Sequence, residues 1–577
     1  MSKKSYGKLL SNMVRYNPNG IVVTYGDRNI TWKELDERVN RLGNALRELG
    51  IAKGDHAIIM FHDCPEFFEA NYALQKIGAI PIPMNFKFVA REIEYQVEKS
   101  DSILFIFEDQ YMEVVEEALP RLGSIKNFIC IKRGETKISD NFLEYEEMIS
   151  KHPSTDPSVE VFGDDICTIS FTGGTTGMPK GVVLTYDNFW KMAEFMFSDL
   201  LARLIADPRV DFKRMSGEPK SLIGKLLLKV MSLTIVRSMI GKMISSTMPK
   251  TFGTPIAPLL QRLTGGHSAF TNMPLFHMAN YVMLIVGPIT GSPPRCILRS
   301  MASFDPKEAL EIIERERPHM VGFVPTQWKM VLDYPEFGKY DTTSVKMAMT
   351  GAGINPAKLK RRILESFPHS IIIDGFGQTE MTPVTSMRID SSVDGLKDRA
   401  VGTPLTGVNV QIINENGEKA APGEVGEICY QSDTVMREYY KDSEGTAKVM
   451  EGGWFHSGDL GYFDEDGDLM IVDRKKETIS TGGEKVYPHE VEEILQSHPK
   501  VLHSCVIGVP DETWGKAVRA VVELVEGEKM NESELIDWCR DKMTGFKKPK
   551  TVVFVDNIPL NPVGKIRRAD VKEKYGM

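Results

Sequence analysis

Short apolar runs and amphipathic stretches alternate along the first half of the chain. Apolar residues spaced three or four positions apart predict helices over Trp32–Leu49 and Glu66–Ile77. Runs of β-branched and aromatic residues predict strands over His56–Phe61, Ala79–Pro83 and Ile103–Phe107. Because helices and strands follow each other in turn, we expect a doubly wound α/β body.

The pattern changes near residue 474, where the charged run Asp473–Glu477 follows an apolar segment. A compact α+β unit is predicted beyond it, with helices over Pro488–Ser497 and Glu532–Met543 and strands over Val506–Val509, Val518–Leu524 and Thr551–Val555. A chain of 577 residues is too long for one hydrophobic core. We therefore predict a large N-terminal body of several subdomains with mixed sheets, residues 1–473, and a small C-terminal domain, residues 474–577.

Composition narrows the class of protein. Hydrophobic residues make up 42% of the chain and charged residues 26%, which is ordinary for a soluble globular protein. The net charge of -9 argues against general nucleic-acid binding. The seven cysteines are scattered without zinc-site spacing, and neither a signal peptide nor an apolar run of spanning length is found. These features predict a cytoplasmic protein with reduced thiols.

The stretch FTGGTTGMPKG, residues 171–181, lies between two strand-like runs. Its glycines permit backbone conformations in which successive N–H groups form a nest for anionic oxygen. Threonine hydroxyls and the ammonium of Lys180 add donors, so the loop suits a polyphosphate. The alternative is a flexible surface turn, and the Walker pattern is absent because Gly181 follows Lys180.

Further candidate residues follow other strand-like runs. DGFGQTE, residues 374–380, places Glu380 where a carboxylate can hold Mg²⁺ beside phosphate oxygens, although a solvated helix-start glutamate is the alternative. Gly351-Ala352-Gly353 offers a backbone that a flat ring can approach closely. Asp459, in a tight Ser-Gly-Asp turn, and Arg474 suit ribose hydroxyls. Lys565, in NPVGKIRR, stands on a glycine loop, or belongs to a solvated basic tail.

In this order the motifs resemble the adenylate-forming superfamily of acyl-CoA synthetases, aryl-CoA ligases, luciferases and peptide-synthetase adenylation domains. The resemblance runs from ITWKELDERVNRLGNAL, residues 30–46, to GKIRR, residues 564–568. The family pattern [YF]TSGTTGxPKG is present, with Gly173 in place of the usual serine, which removes one hydroxyl donor and keeps the loop. The resemblance implies an AMP-forming acid–thiol ligase. Such an enzyme joins a carboxylate to the α-phosphorus of ATP, releases pyrophosphate and passes the acyl group to a thiol.

The resemblance also implies roles for individual residues. Glu380 with Thr176 would hold Mg²⁺, Thr379 would contact the α-phosphate, and Lys565 would bridge the attacking carboxylate and the α-phosphate. Asp459 and Arg474 would bind ribose. The β- and γ-phosphates would lie on Thr172, Gly173, Gly174, Thr175, Thr176, Gly177 and Lys180. Adenine would be framed by Gly351, Ala352, Gly353, Asp374, Gly375 and Phe376, and the motif continues through Gly377 and Gln378.

Relatives rotate the C-terminal domain between the two half-reactions, and the family's hinge position corresponds to Lys476. The rotation would bring Ser480–Glu484, including Gly482 and Gly483, to the acyl group for attack by the pantetheine thiol.

The segments Met273–Met278 and Gly322–Trp328 match the family's acyl pocket, and they suggest His277 and Trp328 as acyl-site residues. His277 is otherwise a structural histidine. Both segments lack the aspartate that amino-acid-activating relatives use, so we expect a fatty, alicyclic or aromatic acid and coenzyme A as acceptor. Three alternatives stay open: a ligase serving an acyl carrier protein, a luciferase-like oxygenase, and a non-catalytic lipid-binding scaffold.

An insertion at about 201–265 is longer than an ordinary connection and is rich in Leu, Ile, Met and basic residues. It suggests either peripheral membrane contact or a lid or packing extension. Lys220, Lys225, Lys229, Arg237 and Lys242 do not share one helical face, which weighs against a single interfacial helix there. Oligomeric state, including a homodimer, stays open.

Overall fold

The computed structural model describes residues 9–134, 137–172, 179–206, 210, 214, 234–264, 266–299, 304–351, 353, 355–482, 484–540, 542–561 and 564–577. Several predicted site residues lie outside this set: Gly173, Gly174, Thr175, Thr176, Gly177, Ala352 and Gly483. The central part of the insertion also lies outside it.

The first 150 residues alternate between helices and strands. The helices are α1 (Leu9–Tyr16), α2 (Trp32–Glu48), α3 (Pro65–Lys76), α4 (Ala90–Ser100), α5 (Met112–Ala118) and α6 (Tyr145–Ser150). The strands are β1 (Ile21–Tyr25), β2 (Arg28–Thr31), β3 (His56–Met60), β4 (Ile80–Pro83), β5 (Leu104–Glu108), β6 (Asn127–Ile131) and β7 (Leu143–Glu144). A parallel sheet forms in the order β4-β3-β5-β6-β7. The elements predicted here are confirmed to within about two residues at each end.

Local chemistry sets these boundaries. Helix α2 begins at a capping box, in which the Thr31 side chain accepts from the Glu34 amide and Glu34 accepts from the Thr31 amide. Helix α3 begins with Pro65, whose missing N–H costs nothing in a first turn. Strand β5 is buried at all five positions, as expected for a central parallel strand covered on both faces.

Residues 166–404 build a hairpin and a large sheet. The strands are β8 (Ile166–Thr172), β9 (Lys180–Thr185), β10 (Ser268–Thr271), β11 (Arg295–Leu298), β12 (Met320–Gly322), β13 (Met347–Gly351), β14 (Ile371–Phe376), β15 (Ser386–Asp390) and β16 (Thr403–Pro404). The helices are α7 (Tyr186–Ala206), α8 (Thr234–Thr247), α9 (Ile256–Thr264), α10 (Met278–Thr290), α11 (Pro306–Glu316), α12 (Pro325–Asp333) and α13 (Ala357–Ser366). Nine strands pair in the order β16-β15-β14-β13-β12-β10-β11-β1-β2, and β12, β13 and β14 are parallel neighbours. Their carboxyl ends therefore open on one edge, where ligands bind in such sheets.

Residues 409–474 form a smaller antiparallel sheet. Its strands are β17 (Asn409–Ile413), β18 (Gly426–Gln431), β20 (Met450–Glu451), β21 (Trp454–Phe463) and β22 (Leu469–Arg474), while β19 (Glu438–Tyr439) pairs with β9 and precedes helix α14 (Ser443–Val449). The tight turn predicted at Ser457–Asp459 is wrong, because these residues lie inside the ten-residue strand β21. Gly458 takes a φ of 70° there, and β21 shifts register against its neighbours near this point, so the glycine marks an irregular strand.

The C-terminal residues form a unit with its own core. Its strands are β23 (Ile479–Thr481), β24 (Glu484–Val486), β25 (Val501–Asp511), β26 (Gly515–Leu524) and β27 (Thr551–Val555). Its helices are α15 (Pro488–Gln496), α16 (Glu532–Trp538) and α17 (Arg568–Tyr575). Helix α16 ends earlier than predicted, since the Cys539 amide turns back to the Ile536 carbonyl. The predicted domain boundary falls at the end of β22.

Trp328 is a core residue, which corrects its assignment to the acyl site. Its indole has no exposed surface and packs between the rings of Phe323 and Phe367. Its Nε1 donates to the Met349 carbonyl at 3.1 Å. Helix α12 therefore turns this side chain inward, and among the described residues of the segment it is Val324 and Thr326 that meet the C-terminal unit.

Candidate active site

The neck of the glycine-rich loop is fixed by the β8–β9 hairpin. Thr172 and Lys180 are Cα partners across the ladder, and the Thr172 hydroxyl is 3.5 Å from the Lys180 carbonyl that accepts from it. Lys180 therefore stands at one mouth of the loop, held by the strand that follows it.

Lys180 and Glu380 both contact Tyr439, one at the face of its ring and the other at its hydroxyl. The Lys180 ammonium is 2.7 Å from Asp442 and lies 4.6 Å from the centre of the Tyr439 ring. The Tyr439 hydroxyl donates to Glu380 Oε1 at 2.9 Å. Burial and the neighbouring Glu380 carboxylate raise the pKa of Tyr439, so this hydroxyl stays protonated and remains a donor.

Two glycine segments lie side by side at the sheet edge. Gly351 and Gly375 are Cα partners, and a Cβ on Gly351 would come within 2.6 Å of the Gly375 carbonyl oxygen. Gly377 has a φ of 159°, and a Cβ there would meet the Pro383 carbonyl oxygen at 2.0 Å. Only glycine fits at either position, so the backbone forms the surface that a ring can approach.

The carboxylate of Asp374 is used inside the protein, so only its backbone is available for the predicted framing of adenine. It lies 2.7 Å from the ammonium of Lys360 on α13, and both groups are buried. Burial raises the pKa of Asp374, while Lys360 opposes that shift. Only the backbone of Asp374 continues the sheet edge toward Gly375 and Phe376.

The following turn carries Gln378, Thr379 and Glu380. Thr379–Met381 form one turn of 3₁₀ helix, which places Glu380 against Tyr439. The Gln378 Nε2 is buried, and no hydrogen-bond partner for it exists within the described part of the chain. A buried donor of this kind is costly unless a ligand or water satisfies it.

Asp459 and Arg474 face each other across β21 and β22. They are Cα partners, and Arg474 Nε is 2.7 Å from Asp459 Oδ1. Burial raises the pKa of the Asp459 carboxyl, and Glu380 raises it further, while Arg474 and Lys565 lower it. The predicted pair is therefore formed, and its field reaches both Glu380 and Lys565.

Lys565 is carried by a short, hydrogen-bonded loop. The Asn561 side chain accepts from the Lys565 amide at 2.8 Å, and the Asn561 amide donates to the Lys565 carbonyl at 2.7 Å. Gly564, with a φ of 78°, lies against the N-terminal body, since a Cβ on it would be 3.2 Å from Thr326 Oγ1. The loop thus presents Lys565 to the body.

The ammonium of Lys565 lies in a cleft lined by charged groups. Its side chain is exposed to this cleft. The surrounding protein nevertheless removes water from the ammonium, which disfavours the charged form and lowers its pKa to about 8. Arg474 adds to the shift and Asp459 opposes it. At neutral pH most of the ammonium is charged, because its pKa still lies above 7.

His277 forms another wall of this cleft. Its Nδ1 accepts from the Ala279 amide at 3.3 Å and caps helix α10, which assigns the ring proton to Nε2. Burial, together with a smaller effect of the nearby Lys565, lowers its pKa to about 4. His277 is therefore a structural cap and also a neutral donor near Lys565.

The chain matches the AMP-binding enzyme model over residues 10–210 and 238–440, and the AMP-binding enzyme C-terminal domain model over residues 490–565. The chain belongs to the AMP-binding enzyme family. It is 29% identical to a feruloyl-CoA synthase of an Amycolatopsis species over 577 residues, with 100% of each chain covered. It is 27% identical to the long-chain-fatty-acid–CoA ligase FadD13 of Mycobacterium tuberculosis, covering 99% of each chain. The anthranilate CoA ligase AuaEII, solved with anthranoyl-AMP, shares the fold at a TM-score of 0.80 and 22% identity, covering 99% of this chain and 97% of AuaEII.

These matches confirm three expectations for this AMP-binding enzyme: the adenylate-forming superfamily, the α/β fold with a large body and a small C-terminal domain, and the ATP-dependent acyl-CoA ligase class. The roles of individual residues, the hinge at Lys476 and the domain bounds stay predictions. Lys476 is exposed in the 3₁₀ turn Lys475–Glu477. Gly482 lies beside the Trp514 ring, with a φ of 58°.

Three residues that hold the site together were missed in the sequence analysis. Tyr439 and Asp442 stand in REYYKD, whose only signal is an aspartate that caps a short helix. Asp63 accepts from the Leu275 amide at 2.7 Å and so holds the segment before His277. Burial raises the pKa of Asp63 to about 6. No local pattern reveals this contact, since more than two hundred residues separate its partners.

A second buried cluster contains His62, Cys64 and Glu108, whose ligand atoms are close enough for a metal ion. Hydrogen bonds already use these atoms, because His62 Nδ1 is 2.8 Å from Glu108 Oε1 and Gln110 donates to Glu108 Oε2 at 2.8 Å. The Arg133 guanidinium is 3.5 Å from Glu108 as well. A resident cation so near the site replaces the charge that a metal would bring.

The Tyr439→Phe variant tests the contact with Glu380. Removing the hydroxyl leaves a buried carboxylate without this donor, so we expect the free energy of unfolding to fall by about 1–3 kcal/mol. Urea unfolding of the N-terminal body measures the change.

Tyr430→Phe is the matched control, because the Tyr430 hydroxyl makes only a long contact of 3.4 Å with Thr385 among the described residues. Its loss should cost less than about 1 kcal/mol. Equal destabilisation by the two variants would show that the Tyr439–Glu380 hydrogen bond adds nothing to the free energy of unfolding beyond the loss of a tyrosine hydroxyl.

Proposed function

We propose that the chain activates an apolar carboxylic acid as its acyl-adenylate, with release of pyrophosphate, and then transfers the acyl group to coenzyme A. The observation that carries the proposal is the charged cleft. Glu380, Asp459, Arg474 and Lys565 come from separate parts of the chain, and their charges act on one another there. A carboxylate, an arginine paired with a second carboxylate, and a positioned lysine suit the binding of a nucleotide. They also suit the charge that develops at its α-phosphorus.

The phosphate end of the nucleotide is assigned to Lys180 and the adjoining loop. Lys180 is partly exposed, and its partner Asp442 is also accessible, so the pair is of the weak surface kind. Phosphate oxygens carry more charge than one carboxylate and can displace or share that contact. Thr172 supplies a hydroxyl at the same mouth.

Mg²⁺ fits beside Glu380. Tyr439 engages Oε1 of this carboxylate, and among the described residues no hydrogen bond engages Oε2. A hard cation prefers such an oxygen together with phosphate oxygens and water. Glu380 would hold Mg²⁺, with Thr176 assigned by resemblance, and bound Mg²⁺ would neutralise charge on the phosphates.

The nucleoside end is assigned to the sheet edge and to the β21–β22 pair. Asp459 and Arg474 suit ribose hydroxyls as acceptor and donor. The backbone of Gly353, which is exposed, and of Gly375 and Phe376, which are partly buried, suits the face of adenine beside the buried Gly351. The unpartnered Gln378 amide supports a ligand at this edge, because a bound acceptor would satisfy it.

In the adenylation step, Lys565 is assigned to the attacking carboxylate and the α-phosphate. Its charge offsets the negative charge that accumulates as the carboxylate oxygen attacks and pyrophosphate leaves. Neutral His277 can donate its Nε2 proton in a hydrogen bond to the acid without repelling Lys565. In the second half-reaction the hinge at Lys476 would remove Lys565 and bring Gly482 and Gly483 to the acyl group.

An apolar acid is supported by the segments beside His277. Leu275 and Met278 are buried, Phe276 is partly buried, and Val324 adjoins the Lys565 loop. Two relatives are named for ferulate and for long-chain fatty acids, and these acids are carboxylates with large apolar bodies. A carrier-protein acceptor is the alternative that the acceptor assay separates from coenzyme A.

We also propose that residues 201–265 provide peripheral membrane contact. None of the described helices has the length and apolar character needed to span a bilayer. Surface contact is therefore the form of membrane association that the described helices allow.

A panel of carboxylic acids tests the proposed function. With ATP, Mg²⁺ and coenzyme A, we expect AMP and a thioester to form in equal amounts for fatty, alicyclic or aromatic acids, and not for amino acids. Chromatography of both products measures the result. Thioester formation only on an acyl carrier protein would support the alternative acceptor, and no AMP from any acid would reject the ligase.

Lys565→Ala separates the two half-reactions. Acyl-adenylate formation should fall by about 10²–10³-fold or more, because a positioned charge at the reacting centre is lost. Thioester formation from supplied acyl-adenylate should change little, since Lys565 is assigned no role there.

Lys572→Ala is a control, because Lys572 follows on the same C-terminal unit and pairs with Glu477 at 2.5 Å outside the cleft. Both half-reactions should survive this change. Equal losses in both half-reactions of Lys565→Ala would contradict the division of roles.

A further inference from the structure

Helix α9 (Ile256–Thr264) carries its apolar side chains on the outside of the protein. Ile256 is 51% exposed, Leu259 42%, Leu260 55% and Leu263 82%. At about 100° per residue the four lie within an arc of about 100°, which is the width of a stripe that normally faces a core. The helix is therefore amphipathic, with its apolar side turned to solvent.

The opposite side of α9 is anchored by polar contacts. Gln261 is buried, its amide nitrogen donates to the Pro293 carbonyl, and its amide oxygen is 3.5 Å from the Asn17 side chain. Pro258 is also buried and packs over Gly291, where a Cβ would come within 2.8 Å of the proline ring. Turning the leucines inward would break these contacts and move Gln261 away from its partners. The orientation of the stripe is thus fixed by the fold.

The surrounding sequence is basic although the whole chain is acidic. Between residues 212 and 264 there is one acidic residue, Glu218, and the basic residues are Lys213, Arg214, Lys220, Lys225, Lys229, Arg237, Lys242, Lys250 and Arg262. Lys242, Lys250 and Arg262 are exposed in the structure. The net charge of the chain is -9, so positive charge is concentrated in this segment.

We propose that α9 docks on an anionic lipid bilayer, with the stripe Ile256–Leu259–Leu260–Leu263 in the interface and the nearby cations at the headgroups. This deepens the membrane contact in the proposed function by naming its helix and lipid charge. An apolar stripe flanked by Lys and Arg is the composition that binds anionic interfaces. A second copy of the chain fits less well, because a two-fold contact through this patch would bring the same cations together.

Vesicle sedimentation of the full-length protein tests the proposal. Binding is expected to vesicles of phosphatidylcholine mixed with phosphatidylglycerol, to weaken at high salt, and to be much weaker on phosphatidylcholine alone. Leu263→Asp should lower the partition coefficient about tenfold or more, because it places a charge in the middle of the stripe. The double variant Lys250→Gln/Arg262→Gln should weaken binding to the anionic vesicles and leave the weak binding to phosphatidylcholine vesicles unchanged.

Val89→Asp is the matched control, since Val89 is 59% exposed and lies at the start of α4, away from α9 in the sequence. It should bind like the unchanged protein. AMP release with a short, water-soluble acid should be the same for Leu263→Asp and Val89→Asp, so a loss of docking is distinguishable from a loss of ligase function. Leu260→Asp repeats the test at a second exposed position.

The proposal is overturned if the unchanged protein does not bind anionic vesicles, or if Leu263→Asp and Leu260→Asp bind as well as Val89→Asp. It is also overturned if the unchanged protein is a dimer that Leu263→Asp dissociates without any vesicle binding, which would identify a second copy as the occupant of the stripe.

Discussion

The balance of charge around the Asp459–Arg474 ion pair is the constraint on which the rest of the site depends. Two carboxylates, Asp459 and Glu380, are buried near each other; burial raises the pKa of Asp459, and the charge of Glu380 raises it further. Arg474 and Lys565 supply the opposing charge. Removing either cation would leave a buried carboxylate short of a partner, and the placement of both cations is therefore as important as their presence.

Secondary structure delivers these groups to one place. The pairing of β21 with β22 sets Asp459 opposite Arg474, and the 3₁₀ turn after β14 sets Glu380 against Tyr439. Tyr439 comes from β19, which is added to the hairpin that carries Lys180. The proposed phosphate side and the proposed sugar side of the cleft are thus joined through strand pairing, and their spacing is set by rigid backbone rather than by long side chains.

Lys565 is different, because it belongs to a unit with a core of its own. That core contains Val491, Leu495, Val506 and Val522. One described link between the two is the Arg399–Glu493 ion pair, with Nε 2.9 Å from Oε2 and both groups partly exposed. The arrangement is suited to a lysine that is present for one half-reaction and absent for the other.

Most of the fold could be predicted from the sequence, because period-two and period-3.6 patterns are local. The parallel sheet and the C-terminal strands followed from short apolar runs, and the main errors in length were β25, which is longer than predicted, and α16, which is shorter. Glycine-rich or charged motifs singled out Lys180, Glu380, Asp459 and Lys565 in the sequence, and their roles stay predictions, although Asp459 lies inside strand β21 and not in a turn.

What failed depended on partners that are distant in the sequence. Trp328 was assigned to the acyl site, but the rings of Phe323 and Phe367 enclose it in the core. The same reason hid Tyr439 and Asp63, whose roles consist of single long-range contacts with Glu380 and Leu275. The apolar stripe of α9 was missed because its outward orientation is decided by Gln261 on the other face.

The most direct measurement of this account is the pH dependence of kcat/KM for ATP in acid-dependent AMP release. A lysine with a pKa of about 8 loses its charge as the pH rises through that value, so the rate constant for the unchanged protein should fall above about pH 8. Lys565→Arg stays charged throughout this range, and its lower activity should show no such fall until at least one pH unit higher. If both proteins lose activity at the same alkaline pH, the fall in kcat/KM is caused by another titrating group, and the charge of Lys565 does not govern adenylation.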